Sequence, residues 1–390
     1  MYKYFKHLLV LLVLSSALAS SGYAQLDIED RIRGLILGSM IGDAAGGPLE
    51  YAPVDWQKDS LLQSPLKDHS KKQLGNRFRL RDYPMEAAPY AQWIDYAPAG
   101  TITDDSRYKV LLMRSVLQND TLSRQGFLQT LITYANQPHA EHDSLKNAWL
   151  QEYMYRWRWL SGDTTHTKAY PPERIWGGVA TMAGQMPLLP VAAFYPGRPR
   201  QAYLKSWELN LMDTGYGKDM TGALVAGLSV ALTDTTPGWE DIIETMRNTD
   251  PYGFSEVPWV PRRFDIWLKR AFEEAARADD IPIAAFQNLK SRLNAVTWWE
   301  ARVPMVITFG IFELTDYHPL ASMELALAFG KDTDSTAQLM GAFLGARYGA
   351  GIFPEKMRTT VETRLKEQYD VDLNNWVQTI MKLSPHQYSY

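Results

Sequence analysis

The 390-residue chain has no cysteine, which excludes disulfide frameworks, thiolate nucleophiles, Cys-ligated zinc and iron–sulfur clusters. Any metal must sit on oxygen or imidazole. An excess of positive charge is also missing: 40 Lys and Arg face 44 Asp and Glu, for a formal net charge of −4. That balance argues against a nonspecific electrostatic grip on nucleic acid, so no nucleic-acid partner is expected. There is no Ser/Gly-rich linker, charge block or low-complexity tract to divide the chain. What is present is a 46% hydrophobic, 22% charged composition, enough apolar material for a large globular core.

Lys3 and Lys6 precede an apolar run over residues 8–18, and small residues follow up to Ala24. This pattern predicts a secretory signal peptide over residues 1–24, cleaved after Ala24, and a periplasmic or secreted mature protein. The run is short for a membrane span, so no stable membrane insertion is expected. Residues 25–390 are then expected to form one domain. Its most irregular stretch, residues 52–100, carries five prolines and an interrupted apolar pattern and reads as an elaborated loop region.

Elsewhere apolar residues recur at three- and four-residue intervals. The segments 108–117, 144–160, 218–232, 264–276, 321–329, 335–348 and 354–368 predict helices, and few stretches alternate with the period of a strand. The expected fold is all-α, a compact single-domain orthogonal helical bundle. Two segments carry glycine at every fourth position: Gly34, Gly38, Gly42 and Gly46, then Gly341, Gly345 and Gly349. Such stripes leave one helix face flat at a cost of up to about 1 kcal/mol per glycine, which close helix–helix packing would offset.

Two helix starts are acidic. Thr103, Asp104 and Asp105 lead into the helix from 108, and Asp332, Thr333, Asp334 and Ser335 lead into the second glycine-striped segment. Capping and the helix dipole explain one such cluster alone. Capping does not require four carboxylates at two starts, and if the starts face each other the repulsion calls for a cation. Oxygen-only ligation favours magnesium, calcium or manganese over zinc.

The stretch Gly42–Glu50 (G-D-A-A-G-G-P-L-E), the T-D-D-S from Thr103, and the D-T-D-S-T-A from Asp332 followed by G-A-F-L-G-A-R-Y-G resemble the ADP-ribosylglycohydrolase superfamily, in its order and over nearly the whole mature chain. The resemblance implies an all-α fold with a binuclear magnesium centre in a cleft, manganese or calcium being alternatives for the two ions. It implies Thr103, Asp104, Asp105, Asp332, Asp334 and Ser335 as metal ligands; many relatives have threonine where Ser335 stands. Glu50 corresponds to a flap glutamate of some members, and either Glu50 or Asp334 is expected to orient or deprotonate water. Gly177, Gly178 and Met182 fall where relatives have a glycine-rich, methionine-containing loop near the substrate. Tyr216 stands where many relatives have a Thr-His pair, so the nucleotide half departs from the pattern.

The leading expectation is hydrolysis of an N- or O-ribosyl bond in an ADP-ribosyl small molecule or modified protein. Alternatives are a nucleoside or other ribosyl-glycoside hydrolase on the same metal site, and a catalytically silent binding protein. His139-Ala140-Glu141-His142 reads as a solvated loop rather than a metal site. The tryptophans at 149, 157, 159, 176, 298 and 299 read mainly as core or groove walls.

Overall fold

The computed structural model describes residues 27–49, 88–90, 94–137, 144–163, 168–233, 237–277, 282–293, 297 and 299–384. The expected signal segment, most of the 52–100 region, Glu50 and the His139–His142 stretch lie outside them. The chain opens with helix α1 (Ile28–Gly46), followed by a short antiparallel pair, β1 (Ala88–Tyr90) and β2 (Ile94–Ala97). Next come α2 (Asp104–Asn119), α3 (Arg124–Ala135), α4 (Ser144–Leu160), α5 (Pro199–Leu209), α6 (Gly215–Ala231) and α7 (Trp239–Asn248). The second half contains α8 (Arg263–Ala276), α9 (Pro282–Leu293), α10 (Arg302–Leu314), α11 (Pro319–Phe329), α12 (Thr333–Tyr348), α13 (Glu355–Tyr369) and α14 (Leu373–Leu383). The fold is all-α, and every helix predicted from periodicity is found; the β1–β2 pair is an addition the sequence did not announce.

Burial sorts these helices into two kinds. α14 buries one stripe, Leu373, Trp376, Val377 and Ile380, and exposes its other side. α1, α11 and α12 are buried nearly all round, so no polar face orients them and shape complementarity must. The glycine stripes supply that shape. A Cβ on Gly34 would strike the Gly345 carbonyl oxygen, on Gly38 that of Gly341, on Gly42 that of Ala337, and on Gly46 would lie 2.5 Å from the Asp334 Cα.

Rising numbers on α1 thus meet falling numbers on α12: the two helices are antiparallel and their backbones touch at four successive turns. The lost helix propensity is offset by this contact, with Cα–H groups facing carbonyl oxygens. The consequence for function is positional. The C-terminal end of α1 is held against the acidic N-terminal end of α12.

Candidate metal centre and active site

The first acidic start is built by a residue 60 positions upstream. Asp43, fully buried on α1, accepts hydrogen bonds from the backbone N–H of Thr103 (3.2 Å), the Thr103 hydroxyl (2.5 Å) and the backbone N–H of Ser106 (3.2 Å). Thr103 is itself the N-cap of α2, its hydroxyl oxygen accepting from the Asp105 N–H at 3.1 Å. Asp43 therefore satisfies first-turn donors that would otherwise be orphaned in the core. With the start pinned from inside, Asp104 points to the exposed side and Asp105 is buried.

The second start is entered through Gly330 and Lys331, both in the left-handed region (φ 76° and 70°), which turns the chain sharply into α12. Asp332 is its N-cap residue, and Asp334 accepts from the Ser335 N–H at 2.9 Å. The two starts meet directly. The Ser335 hydroxyl lies 3.1 Å from both carboxylate oxygens of Asp105, and the Gln338 amide also donates to Asp105. Carboxylate oxygens of Asp104, Asp105 and Asp334 lie within 4.8 Å of one another.

A cation belonging to the protein sits behind this cluster. Lys109, with no exposed surface, donates from Nζ to the Asp105 carbonyl (3.2 Å), the Ser106 hydroxyl (3.4 Å) and the Gln338 side-chain oxygen. Burial pulls its pKa down, while Asp43, Asp105 and Asp334 hold it up. The carboxylates' need for a cation is thus met in part from within. One ammonium does not balance Asp43, Asp104, Asp105, Asp332 and Asp334. Burial, then the neighbouring charges of Asp104 and Asp43, push Asp105 well above the ordinary carboxylate range, and burial also raises Asp43. Surplus negative charge carried by carboxylate oxygens, two of the three groups buried, fits a hard divalent cation on Asp104, Asp105 and Asp334.

Asp332 gives this strain a pH signature. Burial raises its pKa from 3.8 to about 6, against the lowering effect of hydrogen bonds from the Asp334 and Ser335 side. The folded state then holds a proton that the unfolded chain has already lost between about pH 4 and about pH 6. Stability falls as pH rises through that window, by at most about 1.4 kcal/mol per pH unit from this group, and is level above it. Urea melts of the metal-free protein are expected to show this decline, Asp332→Asn to flatten it, and a divalent cation to restore stability at neutral pH. Melts that do not differ between wild type and Asp332→Asn would refute the assignment.

A second group of residues forms a strip beside the acidic pair. Tyr153 on α4 is buried, stacked on Trp157 (ring centroids 5.9 Å apart) and edge-on to Tyr108 of α2 (6.3 Å). Its phenol pKa is raised well above normal by burial, then by the charges of Asp213, Asp104 and Asp105, and Arg156, one turn further along α4, donates to the Asp213 carbonyl. Trp176 meets the same ring edge-on at 6.0 Å from a left-handed backbone (φ 51°), and Gly177 and Gly178 continue that conformation (φ 68° and 86°) as exposed residues.

Beyond them, Asp213 is buried and accepts from the Thr181 hydroxyl (2.5 Å) and the Gly184 N–H (2.8 Å). Met182 is buried, its N–H donating to the Trp299 carbonyl at 3.0 Å. Thr181 bridges to Glu300, and a Cβ on Gly217 would stand 3.0 Å from the Thr181 carbonyl oxygen, so the start of α6 with Tyr216 abuts this segment.

The expected residues fall into three sets. Thr103, Asp104, Asp105, Asp332, Asp334 and Ser335 gather at the two facing helix starts. Gly177, Gly178, Met182 and Tyr216 share the adjoining strip. Glu50 lies outside the described residues, although the preceding Leu49 carbonyl accepts from the Thr333 hydroxyl at 3.4 Å. Sequence reasoning did not single out Asp43, Lys109 or Gln338. Asp43 had a local signal, as the one acid in the glycine-striped run from Gly34 to Gly46. Of the tryptophans, Trp157 is core, Trp176 is half-buried and Trp159 is exposed.

An all-α protein with facing acidic helix starts and an oxygen-only donor set defines a class of hard-metal hydrolytic sites. The chain matches the family model described as ADP-ribosylglycohydrolase over residues 24–386, and it belongs to that family. It is therefore a glycosyl hydrolase of N- or O-glycosidic bonds in a metal-dependent family that acts on ADP-ribosylated substrates. No curated protein matches the chain. Among the described residues, no helix is long and apolar enough to cross a membrane.

Proposed function

We propose that this protein is a magnesium-dependent hydrolase that cleaves the C1 bond of a ribose in an ADP-ribosyl substrate. The observation that carries the reading is the meeting of the Asp104, Asp105 and Asp334 carboxylates from two helix starts far apart in sequence. Thr103, Asp332 and Ser335 stand beside them and complete an oxygen set for two ions. When bound, such ions supply positive charge that polarises ligand oxygens.

The chain's own residues divide the remaining work. The helix-start carboxylates and hydroxyls orient the ribose hydroxyls, which fixes the anomeric carbon in one place. Asp334, or Glu50 immediately after Leu49, takes the proton from the attacking water. Anionic groups around the site stabilise the oxocarbenium-like charge that develops as the C1 bond breaks. Gln338 and Lys109 hold Asp105 in place from behind.

The mature protein, incubated with magnesium and ADP-ribosyl-arginine, ADP-ribosyl-serine, NAD or nucleosides, is expected to release ADP-ribose from an ADP-ribosyl compound. Tyr216 in the place of a histidine favours including nucleosides; release of free ribose from them would replace this reading with a nucleoside hydrolase. Absence of turnover together with absence of metal binding would mark a silent binding protein.

A further inference from the structure

The hydrogen bond between Tyr216 and Glu300 has a fixed direction. Tyr216 Oη is 2.6 Å from Glu300 Oε1, and the other carboxylate oxygen of Glu300 is 2.9 Å from Arg302. A carboxylate paired with a guanidinium has no proton to give, so the phenol is the donor. Glu300 is not free to turn away. Its backbone bridges to Thr181, its N–H donates to the Thr297 carbonyl at 3.1 Å, and Arg302 is held with its guanidinium 3.6 Å over the Trp267 ring.

The phenol proton of Tyr216 is therefore committed, and only its oxygen lone pairs remain for a ligand. Tyr216 is half-buried at the start of α6 beside an exposed Gly215, and its neighbour Gly217 packs on Asp213, whose carbonyl is held by Arg156 of α4, the helix that sets Tyr153 against Tyr108 of the acidic α2. Within an ADP-ribosyl group the diphosphate offers acceptors alone at neutral pH. The adenosine ribose hydroxyls and the adenine amine offer donors.

We propose that Tyr216 is an acceptor-only recognition point for the nucleoside end of the substrate, and that Glu300 is the positioning residue that makes it so. The inference rests on the ADP-ribosyl reading above and specifies it: this corner addresses a hydroxyl or amino group rather than a phosphate. An imidazole, able to donate or accept, would not impose that choice.

Titration calorimetry with magnesium present tests it, using ADP-ribose and its 2′-deoxyadenosine, 3′-deoxyadenosine and 6-unsubstituted purine riboside analogues, each lacking one donor group. One analogue is expected to bind wild type about tenfold more weakly than ADP-ribose. The gap closes in Tyr216→Phe, whose thermal melt stays near wild type, and narrows in Glu300→Gln, whose neutral amide claims the phenol proton less strongly and whose melt falls because Arg302 loses its charged partner. Equal binding of all four ligands to wild type, or a gap that persists in Tyr216→Phe, overturns the inference while leaving the hydrolase reading intact. A wild type that neither binds ADP-ribose nor releases it from any substrate overturns the hydrolase reading and this inference with it.

Discussion

Asp334→Ala is expected to lower turnover by about 10²–10³-fold or more, the scale on which loss of a single preorganised electrostatic group acts. The same variant should lose the rise in melting temperature expected of wild type with magnesium, since a ligand that binds only the folded state stabilises it more the tighter it binds. Without metal, its unfolding free energy should stay within about 1 kcal/mol of wild type, because the cap to the Ser335 N–H that is lost is offset by relief of a crowded carboxylate. That triple outcome separates a metal-site role from a structural one. A buried carboxylate needed for folding would cost stability with or without cation; a fully active Asp334→Ala protein would remove Asp334 from the site.

Much of this site was legible because its parts are local. Capping acts over three residues, so Thr103–Asp105 and Asp332–Ser335 announce two acidic helix starts from their own sequence. The glycine spacing likewise announced flat helix faces. Which faces meet, and in which register, did not follow, since any of the glycine turns could face any other. The contacts that Asp43 and Lys109 make were illegible for the same reason. Asp43 caps a helix 60 residues further on, and Lys109 reaches Gln338 on α12; neither contact has a trace in local pattern. Their effect on the chemistry is nonetheless direct. Asp43 fixes the rotation of the α2 start, and Lys109 supplies part of the positive charge that the acidic motifs, read alone, assigned wholly to a metal. The β1–β2 pair was missed because strands of three and four residues are too short to establish an alternating period.

Gly46→Ala links the helix register to the site. The added Cβ would lie 2.5 Å from the Asp334 Cα and 2.6 Å from its backbone nitrogen, and backbone atoms of a buried helix cannot rotate aside. The first turn of α12 must shift, at a cost of about 2–4 kcal/mol in stability. Asp332, Asp334 and Ser335 ride on that turn, so magnesium affinity should fall by roughly 10–100-fold, the range seen when groups that orient metal ligands are disturbed. Gly345→Ala is the control. Its Cβ would collide with the Gly34 carbonyl three turns from the acidic end. It should destabilise the fold comparably yet leave the magnesium affinity of the folded protein near wild type. Comparing calorimetric affinities with urea midpoints for the two variants decides the matter. Equal loss of metal affinity in both would mean that the glycine seam transmits strain along its whole length, and that Gly46 has no special place in setting the depth of Asp334.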